Sequence, residues 1–303
     1  MKIGIFYLYF YNLKFYLIII TLDNKKKLQY NKNMEKLLEV NRVAFSIKGF
    51  DVYWYGLIIC TAIIVAISTA TVFCKIRGYK LDSALNIALV SVPSGILGAR
   101  LFSVLFESGL SFKDFFNFRT GGMSIIGAVI GGAIGILVYT LVMREKEQPF
   151  KYFDIVCSVL LLAQAIGRWG NYFNGEVYGQ LIETGSFFAR FPFAVEIDGY
   201  YYQALFFYEC ILDLIGFFFT AEIFILVKKK TGYTTGFYLM YYGTVRTILE
   251  NFRQETYILK IGGARVSLIC SILMIVAGLA IFIVSYYLNN KKKASKYGKT
   301  QRL

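Results

Sequence analysis

The chain has 303 residues, of which 57% are hydrophobic and 17% are charged, and its mean hydropathy is +0.54. This balance excludes an ordinary soluble domain, because so much apolar surface must face lipid. The formal net charge is +14 and the chain contains no histidine, which excludes serine–histidine and cysteine–histidine catalysis. The basic residues gather in short runs between apolar segments, so we expect membrane lipid as a partner and no nucleic acid.

The first apolar segment runs from Gly4 to Leu22 and is followed by the basic stretch Lys25 to Lys36. That basic stretch would lie on the outer side of the membrane, which conflicts with the positive-inside rule. A signal peptide fits poorly, because no small-residue cleavage site follows the apolar run. We therefore hypothesise that translation starts at Met34 and that residues 1–33 are a misassigned extension. An intact-mass measurement that finds the initial methionine retained would contradict this.

Beyond this segment, seven stretches approach the roughly 20 apolar residues that a helix needs to cross the hydrocarbon core. They are residues 54–73, 84–106, 122–143, 153–167, 204–227, 236–250 and 266–288. We predict an all-α polytopic membrane protein of about seven transmembrane helices, because long apolar stretches with few charges are typical of such helices.

Basic clusters follow alternate stretches, at residues 75–80, 144–151, 228–230 and 291–296. The positive-inside rule puts these ends in the cytoplasm, so the core begins outside and the C-terminus is cytoplasmic. We predict a seven-helix domain over residues 34–290, a small extracytoplasmic head formed by the loop 168–203, and a basic cytoplasmic tail over residues 291–303.

The stretch Gly167 to Gly179 reads GRWGNYFNGEVYG and follows a predicted membrane helix. Glycine permits close backbone approach, the Arg168 guanidinium matches a phosphate, and Asn171 and Asn174 can donate further hydrogen bonds. These residues indicate an anion-binding mouth. The alternative is an irregular loop in which Arg168 and Glu176 pair with each other.

In the stretch YGTVRTILENFR, four residues fall three or four positions apart and so share one helix face: Gly243, Arg246, Glu250 and Arg253. Ionisable groups on a membrane helix are costly and usually face a partner or an aqueous cavity. The two arginines therefore favour a site at the outer end of this helix, although Arg246 and Glu250 could also be a purely structural pair.

Other charged and aromatic residues allow two interpretations. Arg100 and Glu209 are either site residues or a buried pair, whereas for Asp213 and Glu222 we favour structural pairing. Tyr55, in VYWYGL, is either a site residue or an aromatic residue at the membrane interface.

The run GGMSIIGAVIGGAIG indicates close helix packing through small residues. We predict no metal and no cofactor, because the carboxylates are not clustered at ligand spacing and the cysteines show no metal-ligand spacing. These cysteines are Cys60, Cys74, Cys157, Cys210 and Cys270.

Taken in order, WYGL, GARLF, GGMSIIG, GRWGNYFNGEVYG, YYQALFFYE and YGTVRTILENFR resemble the prolipoprotein diacylglyceryl transferase family of bacterial inner membranes. The resemblance covers about residues 40–290, and GRWGNYFNGEVYG is its most specific motif. It implies transfer of a diacylglyceryl group from phosphatidylglycerol to the lipobox cysteine thiol in the signal peptide of a lipoprotein precursor. This is the first step of bacterial lipoprotein maturation, and it leaves glycerol phosphate and a thioether.

The resemblance also implies roles for individual residues. Arg168 and Arg246 would stabilise the phosphate leaving group, because preorganised cations are effective in a low-dielectric site. Tyr55 and Glu176 would complete the catalytic set. The substrate-binding set would be Arg168, Asn171, Asn174, Gly179, Arg100, Tyr208, Glu209, Gly243, Glu250 and Arg253.

The chain departs from the family pattern in four places: Ile126 and Gln203 stand where histidine is common, Ala204 replaces proline, and Leu268 replaces glutamine. Without histidine, the substrate thiol must be ionised by a tyrosine, a glutamate or the arginine field. Tyr55 and Tyr208 are candidates for this role.

Two further functions stay open from the sequence. The lost histidines suggest a catalytically silent paralogue that binds lipid or lipoprotein precursor, which a measurement of glycerol phosphate release with a lipobox peptide would test. A small-solute transporter would use buried charges such as Arg246, Glu250 and Glu209. Neither the internal repeats nor the interrupted helices typical of transporters are visible in the sequence.

Overall fold

A computed structural model describes residues 42–106, 111–116, 123–143, 149–197, 199–227, 230–261 and 263–300. The hypothesised extension, residues 1–33, lies outside these ranges. The same holds for four residues of the predicted basic clusters, Arg144, Lys146, Lys228 and Lys229, and for residues 301–303 of the predicted tail.

The described residues form a mostly helical protein with seven α-helices. Helices α1 to α7 comprise Trp54–Arg77, Leu81–Phe106, Ile125–Val142, Pro149–Asn174, Leu205–Leu226, Tyr233–Glu250 and Val266–Thr300. Each of the seven apolar stretches predicted from the sequence corresponds to one of these helices. Two short 3₁₀ helices, Phe112–Asp114 and Glu255–Tyr257, follow α2 and α6.

Helix α4 extends beyond its predicted bounds at both ends. The sequence predicts that a loop begins at Arg168, but α4 continues to Asn174 and therefore carries the first half of the GRWGNYFNGEVYG motif. That boundary is wrong because the glycines of the motif do not break the helix in this packed position. Helix α4 packs against α1, α5 and α6. Half of its most apolar 18-residue stretch is buried inside the protein, compared with 11–28% for the corresponding stretches of α1, α2, α3 and α7. It is the central helix of the fold.

Five helices are long and apolar enough to cross a membrane, by length and composition among the described residues: α1, α2, α3, α4 and, over Val266–Asn290, α7. Helix α5 contains three acidic residues, Glu209, Asp213 and Glu222, and α6 contains Arg246 and Glu250. The fold is that of a polytopic membrane protein.

Close glycine packing joins α2 to α3, as the sequence predicts. A β-carbon added to Gly98 would lie 2.4 Å from the Gly127 carbonyl oxygen, and one added to Gly127 would lie 2.3 Å from the Gly98 carbonyl oxygen. Only glycine allows the two backbones to approach this closely, so the helices are held by direct backbone contact.

Three small antiparallel sheets precede or connect the helices. Strands β1 and β2, Val43–Ile47 and Phe50–Tyr53, precede α1 and pair with each other. Between α4 and α5, β3, β4 and β5 form a sheet in the order β3-β5-β4, from Leu181–Ile182, Ala194–Ile197 and Tyr200–Gln203. Strands β6 and β7, Lys260–Ile261 and Ala264–Arg265, pair between α6 and α7. The prediction of an all-α fold is therefore too narrow, because hairpins form between the helices at one end of the bundle.

The opposite end is fastened by the buried Asp154. Its carboxylate accepts hydrogen bonds from the Gly232 amide at 2.7 Å, from the Thr235 amide at 2.9 Å and from the Thr235 hydroxyl at 2.7 Å. A carboxylate at a helix N-terminus satisfies free amides and stabilises the helix dipole. This contact fixes the start of α6 to α4, and it aligns the far ends of both helices, where the charged residues meet.

Candidate active site

The predicted site residues gather where five helix ends meet. Tyr55 lies at the start of α1, Arg168 near the end of α4, Glu209 in the second turn of α5 and Arg246 in the last turns of α6. Ser267, which the sequence did not predict, joins them from the start of α7. All five ends adjoin the small sheets. Because these helix ends lie at the same end of the bundle, residues from distant parts of the sequence form one cluster.

Glu209 is the centre of this cluster and is 3% exposed. Its carboxylate lies 2.6 Å from the Arg168 Nη2 atom and 3.1 Å from the Arg246 Nη1 atom. The Tyr242 hydroxyl receives a hydrogen bond from Arg168 at 3.0 Å and lies 3.4 Å from the Glu209 Oε1 atom. One buried carboxylate therefore positions both arginines, which the sequence predicts as phosphate ligands.

Glu250 holds the second half of the cluster. Arg246 donates from Nη2 to the Glu250 carboxylate at 3.3 Å and to the Ser267 hydroxyl at 3.2 Å. The Ser267 hydroxyl donates to the same carboxylate at 3.0 Å, and Arg253 lies 3.6 Å from it. The expected Arg246–Glu250 pair is present, but it belongs to a larger network that also holds Arg246 against Glu209.

The cluster retains capacity for a further anion. The Nε atoms of Arg168 and Arg253 are buried and have no hydrogen-bond partner in the part of the chain that the structure describes. The side chains of Arg168 and Arg246 are each 14% exposed, so both are reached from outside. Three arginines face the two glutamates that they contact, which leaves one positive charge in excess. A buried donor without a partner and an excess cation are the features of an anion site.

Glu176 is held by the two asparagines of the motif and not by Arg168. Its Oε1 atom accepts from Asn171 at 3.3 Å and from Asn174 at 3.0 Å. The Arg168–Glu176 pair that the sequence offered as an alternative is therefore not formed, because the Arg168 guanidinium points to Glu209 and Tyr242.

A cavity of about 210 Å³ adjoins this group. It is lined by Asn171, Asn174 and Glu176, by residues of β4, and by aromatic side chains that include Tyr172, Phe173, Tyr178, Phe191 and Phe206. Asn171 follows Arg168 by three residues on α4, so the cavity opens one helical turn from the arginines. The combination of amide groups and aromatic faces suits a polar ligand with an apolar body.

Tyr55 reaches the motif because of a glycine. A β-carbon at Gly170 would lie 2.6 Å from the Tyr55 ring, so only glycine lets this ring lie on α4. The preceding residue, Trp54, stacks its ring on that of Phe173, with the ring centroids 5.1 Å apart. These contacts attach the start of α1 to the end of α4, between the arginine cluster and the cavity.

Gly179 and Gln203 also meet tightly. A β-carbon at Gly179 would lie 2.8 Å from the Gln203 Oε1 atom and 3.0 Å from the Phe252 carbonyl oxygen. The same Oε1 atom accepts a hydrogen bond from the Gln180 amide at 3.3 Å. Gln203, which stands where the family commonly has histidine, thus bonds to the backbone of the head. Its described contacts are those of a bracing residue.

Three predicted substrate-binding residues make their described contacts elsewhere. The Tyr208 hydroxyl donates to the Phe193 carbonyl at 2.9 Å, and a β-carbon at Gly243 would lie 2.7 Å from the Ser271 carbonyl of α7. Arg100 is fully buried on α2, and its Nε atom donates to the Phe115 carbonyl at 3.3 Å. Their predicted role in binding substrate stays a prediction.

Tyr242 and Ser267 are the site residues that the sequence analysis missed. Tyr242 precedes Arg246 by four residues, so helix periodicity alone would have placed it on the same face. Ser267 lies 17 residues from Glu250 and carries no comparable signal, since a serine at the start of an apolar helix is common.

Two groups beyond the end of α6 have shifted acid–base properties. Burial lowers the pKa of Arg253, and the positive charge of Arg246 adds to that effect, yet an arginine stays protonated in proteins. Burial raises the pKa of Tyr257, so its phenol is neutral near pH 7 and can donate a hydrogen bond. Among the described residues, no group of three or more Cys, Asp or Glu side chains is arranged to hold a metal ion.

The chain is similar to known proteins over most of its length. The model of the prolipoprotein diacylglyceryl transferase family matches residues 42–284. A phosphatidylglycerol–prolipoprotein diacylglyceryl transferase of Clostridium kluyveri is 35% identical over 259 residues, which is 83% of this chain and 98% of that protein. Proteins of the same name from Clostridium botulinum strains Langeland and 657 are 34% and 35% identical, over 84% and 83% of this chain and 100% of each relative. The chain belongs to the prolipoprotein diacylglyceryl transferase family.

Proposed function

We propose that this protein transfers the diacylglyceryl group of phosphatidylglycerol to the cysteine thiol of a lipoprotein precursor, at the arginine cluster. The observation that carries the proposal is the largely buried pair of arginines, Arg168 and Arg246, which Glu209 joins and which together carry one excess positive charge. The buried Arg168 Nε donor has no partner among the described residues. A phosphodiester carries one negative charge, so it neutralises this site. The names of the relatives give the same substrate and acceptor.

The chemistry requires a carbon–sulfur bond to form and a carbon–oxygen bond to break. The thiol sulfur attacks the terminal glyceryl carbon, and the electron pair of the broken bond goes to the phosphate oxygen of the leaving glycerol phosphate. Negative charge grows on that phosphate, and arginines already fixed in a water-poor site stabilise it without reorganising. Arg168 and Arg246 therefore act on the leaving group, and no covalent enzyme intermediate is needed.

The surrounding residues would then divide into two sets. Glu209 and Glu250 hold the arginines, while Asn171, Asn174 and Glu176 bind the polar part of the substrate in the adjoining cavity. Tyr55 separates the two regions, and Gly179 and Arg253 brace the head against the end of α6. The substrate thiol would be presented beside Tyr55 and Glu176.

We also propose the membrane placement of the chain. All seven helices would cross a bacterial cell membrane, with the start of α1 outside and the C-terminus in the cytoplasm. Lys75, Arg77, Lys80 and Lys151 lie at the bundle end opposite the sheets, which fits the positive-inside rule. The site and the head sheet would then face outward, where phosphatidylglycerol enters from the outer leaflet and the precursor presents its cysteine.

A peptide-modification assay tests the proposal. Purified protein in phosphatidylglycerol vesicles receives a fluorescent peptide with a lipobox cysteine, and mass spectrometry measures the added diacylglyceryl group. We expect thioether product and an equal amount of glycerol phosphate from the wild type, and neither from Arg168→Ala or Arg246→Ala.

Arg190→Ala is the matched control, because this exposed head arginine makes its described contact with the Phe187 ring and lies outside the cluster. Its activity should equal that of the wild type. A folded wild type that binds the peptide or the lipid without modifying it would replace the proposal with a catalytically silent binding protein. Solute flux across the vesicle membrane that depends on Arg168 would indicate a transporter instead.

A further inference from the structure

Asp213 is a buried acid that the proposed site does not yet use. It lies on α5, four residues after Glu209, and therefore one turn deeper on the same helix face. The side chain is fully buried, and neither carboxyl oxygen has a hydrogen-bond partner among the residues that the structure describes. The structural pairing that the sequence favoured for Asp213 is thus absent, because Arg168 and Arg246 direct their bonds to Glu209.

An acid in this position is costly to keep. A buried polar group without a hydrogen bond destabilises a fold, and an unpaired buried ion destabilises it far more. An apolar side chain of similar volume would remove that cost. Intramembrane acids that make no structural bond usually serve a pathway or a reaction, so the position of Asp213 itself points to a function.

The surroundings of Asp213 connect it to the arginine cluster. Its electrostatic neighbours come from α4, α5 and α6 and comprise Arg168, Glu209, Cys210, Tyr238, Tyr241, Tyr242 and Arg246. Tyr242 is the member that also contacts Arg168 and Glu209 directly. The Tyr242 hydroxyl shares no direct hydrogen bond with Asp213, but a hydroxyl is both donor and acceptor, so through one bridging water it can pass a proton between Asp213 and the arginine site.

Asp213 is also distinct from the other acids of the site in how it is bonded. Glu209 accepts hydrogen bonds from Arg246 and Tyr242 and pairs with Arg168, Glu250 accepts from Arg246 and Ser267, and Glu176 accepts from two asparagines. Protonating any of these would neutralise the carboxylate and weaken the bonds that it now accepts. A proton on Asp213 weakens none, and it replaces a bare anion in a water-poor place with a neutral acid.

We propose that Asp213 carries the proton of the transfer reaction, in place of the histidine that this chain lacks. The inference rests on the proposed function. In the resting protein Asp213 is the neutral acid. As the carbon–oxygen bond breaks, its proton passes through a bridging water and the Tyr242 hydroxyl to the leaving phosphate. As the carbon–sulfur bond forms, the thiol proton returns to Asp213 by the same route. The thiol proton is thereby moved to glycerol phosphate, and Asp213 ends as it began.

Asp213→Asn and Asp213→Leu test the proposal, with Glu222→Gln as the matched control on the same helix. Glu222 is exposed, so Glu222→Gln measures the effect on activity of removing an acidic group from α5 outside the site. We expect Asp213→Asn to lower kcat by about 100-fold or more, the range of acid–base catalysis, while KM for phosphatidylglycerol stays within about twofold and the thermal unfolding temperature is unchanged. Asp213→Leu should be equally inactive and at least as stable.

The infrared spectrum supplies a second measurement that does not depend on activity. Wild-type protein should show the carbonyl stretch of a protonated carboxylic acid that Asp213→Asn lacks and Glu222→Gln retains. An active wild type with a fully active Asp213→Asn, or without this band, would overturn the inference and leave the proposed function intact. A folded wild type that fails to modify the peptide would instead overturn the proposed function.

Discussion

Arg246→Lys tests whether the shape of the guanidinium, and not only its charge, builds the site. Arg246 donates to both Glu209 oxygens at 3.3 and 3.1 Å, to Glu250 at 3.3 Å and to Ser267 at 3.2 Å. The planar guanidinium reaches both carboxylates at once, whereas a lysine ammonium is a compact point charge and reaches one. The variant therefore keeps the net charge and loses at least two charge-assisted hydrogen bonds.

The expected cost follows from these contacts. A hydrogen bond to a charged group contributes about 1.5–3 kcal/mol, so losing two costs about 3–6 kcal/mol. Both glutamates are buried and the Arg246 side chain is only 14% exposed, so solvent screening reduces this figure little. Thermal unfolding in detergent should show a clearly lower midpoint, and peptide modification should fall to near background, because the phosphate ligand is no longer fixed.

Arg265→Lys is the matched control. Arg265 pairs with Glu255 at 2.5 Å, but the two side chains are 33% and 58% exposed, and exposed pairs contribute at most about 1 kcal/mol. This variant should unfold and react like the wild type. If Arg246→Lys behaves like Arg265→Lys in both assays, the planar shape of the Arg246 guanidinium is not required. A positive charge at this position is then enough for stability and activity.

Three further changes have defined outcomes. Gly127→Ala places a β-carbon 2.3 Å from a backbone oxygen of α2 and should lower the free energy of unfolding by about 1–3 kcal/mol. Gly56→Ala is the control, because a β-carbon there has nothing within 4 Å and should leave the stability unchanged. Equal unfolding temperatures for the two variants would refute direct backbone contact between α2 and α3. Tyr242→Phe removes the hydroxyl between the buried arginine and glutamate and should lower kcat at least tenfold with little change in stability; full activity would show that the hydroxyl is not used. The pKa of Glu255 is lowered by the hydrogen bond from Lys260, so its small stabilisation is present above the ordinary glutamate pKa and is lost as pH falls through the lowered value. The unfolding difference between wild type and Glu255→Gln should therefore disappear in acid, and a difference that persists there would contradict this assignment.

Much of the architecture was predictable, because the hydropathy of a short stretch of sequence is enough to identify a membrane helix. Each long apolar stretch became a helix, since a segment in lipid must satisfy its own backbone hydrogen bonds. The glycine run of α3 likewise predicted close helix packing, because small residues at regular spacing let the backbone of a neighbouring helix approach. Only the structure identified α2 as that neighbour. The end of α4 was predicted seven residues early, because glycine and asparagine have low helix propensity and tertiary packing overrode it.

The sequence also predicted most of the residues that form the site, but it did not predict which of them bond to one another. Helix spacing correctly related Arg246 to Glu250, four residues apart. The bonds that define the cluster join residues 37 and 74 positions apart, from Arg246 to Glu209 and from Arg168 to Tyr242. No local periodicity encodes such pairings, so the sequence offered Glu176 as a partner for Arg168 when the folded chain uses Glu209.

By itself, the sequence determined that this is a helical membrane protein, because hydropathy and helix periodicity act over short distances, and it predicted an anion site with Arg168 and Arg246. Tertiary structure alone decided which charges meet. It paired Glu209 with both arginines, turned Gly243 towards α7 and left Asp213 buried without a bond. The physical reason is that the ionic and hydrogen-bonding partner of a buried group is whichever neighbouring helix is packed against it, and that is set by the whole fold.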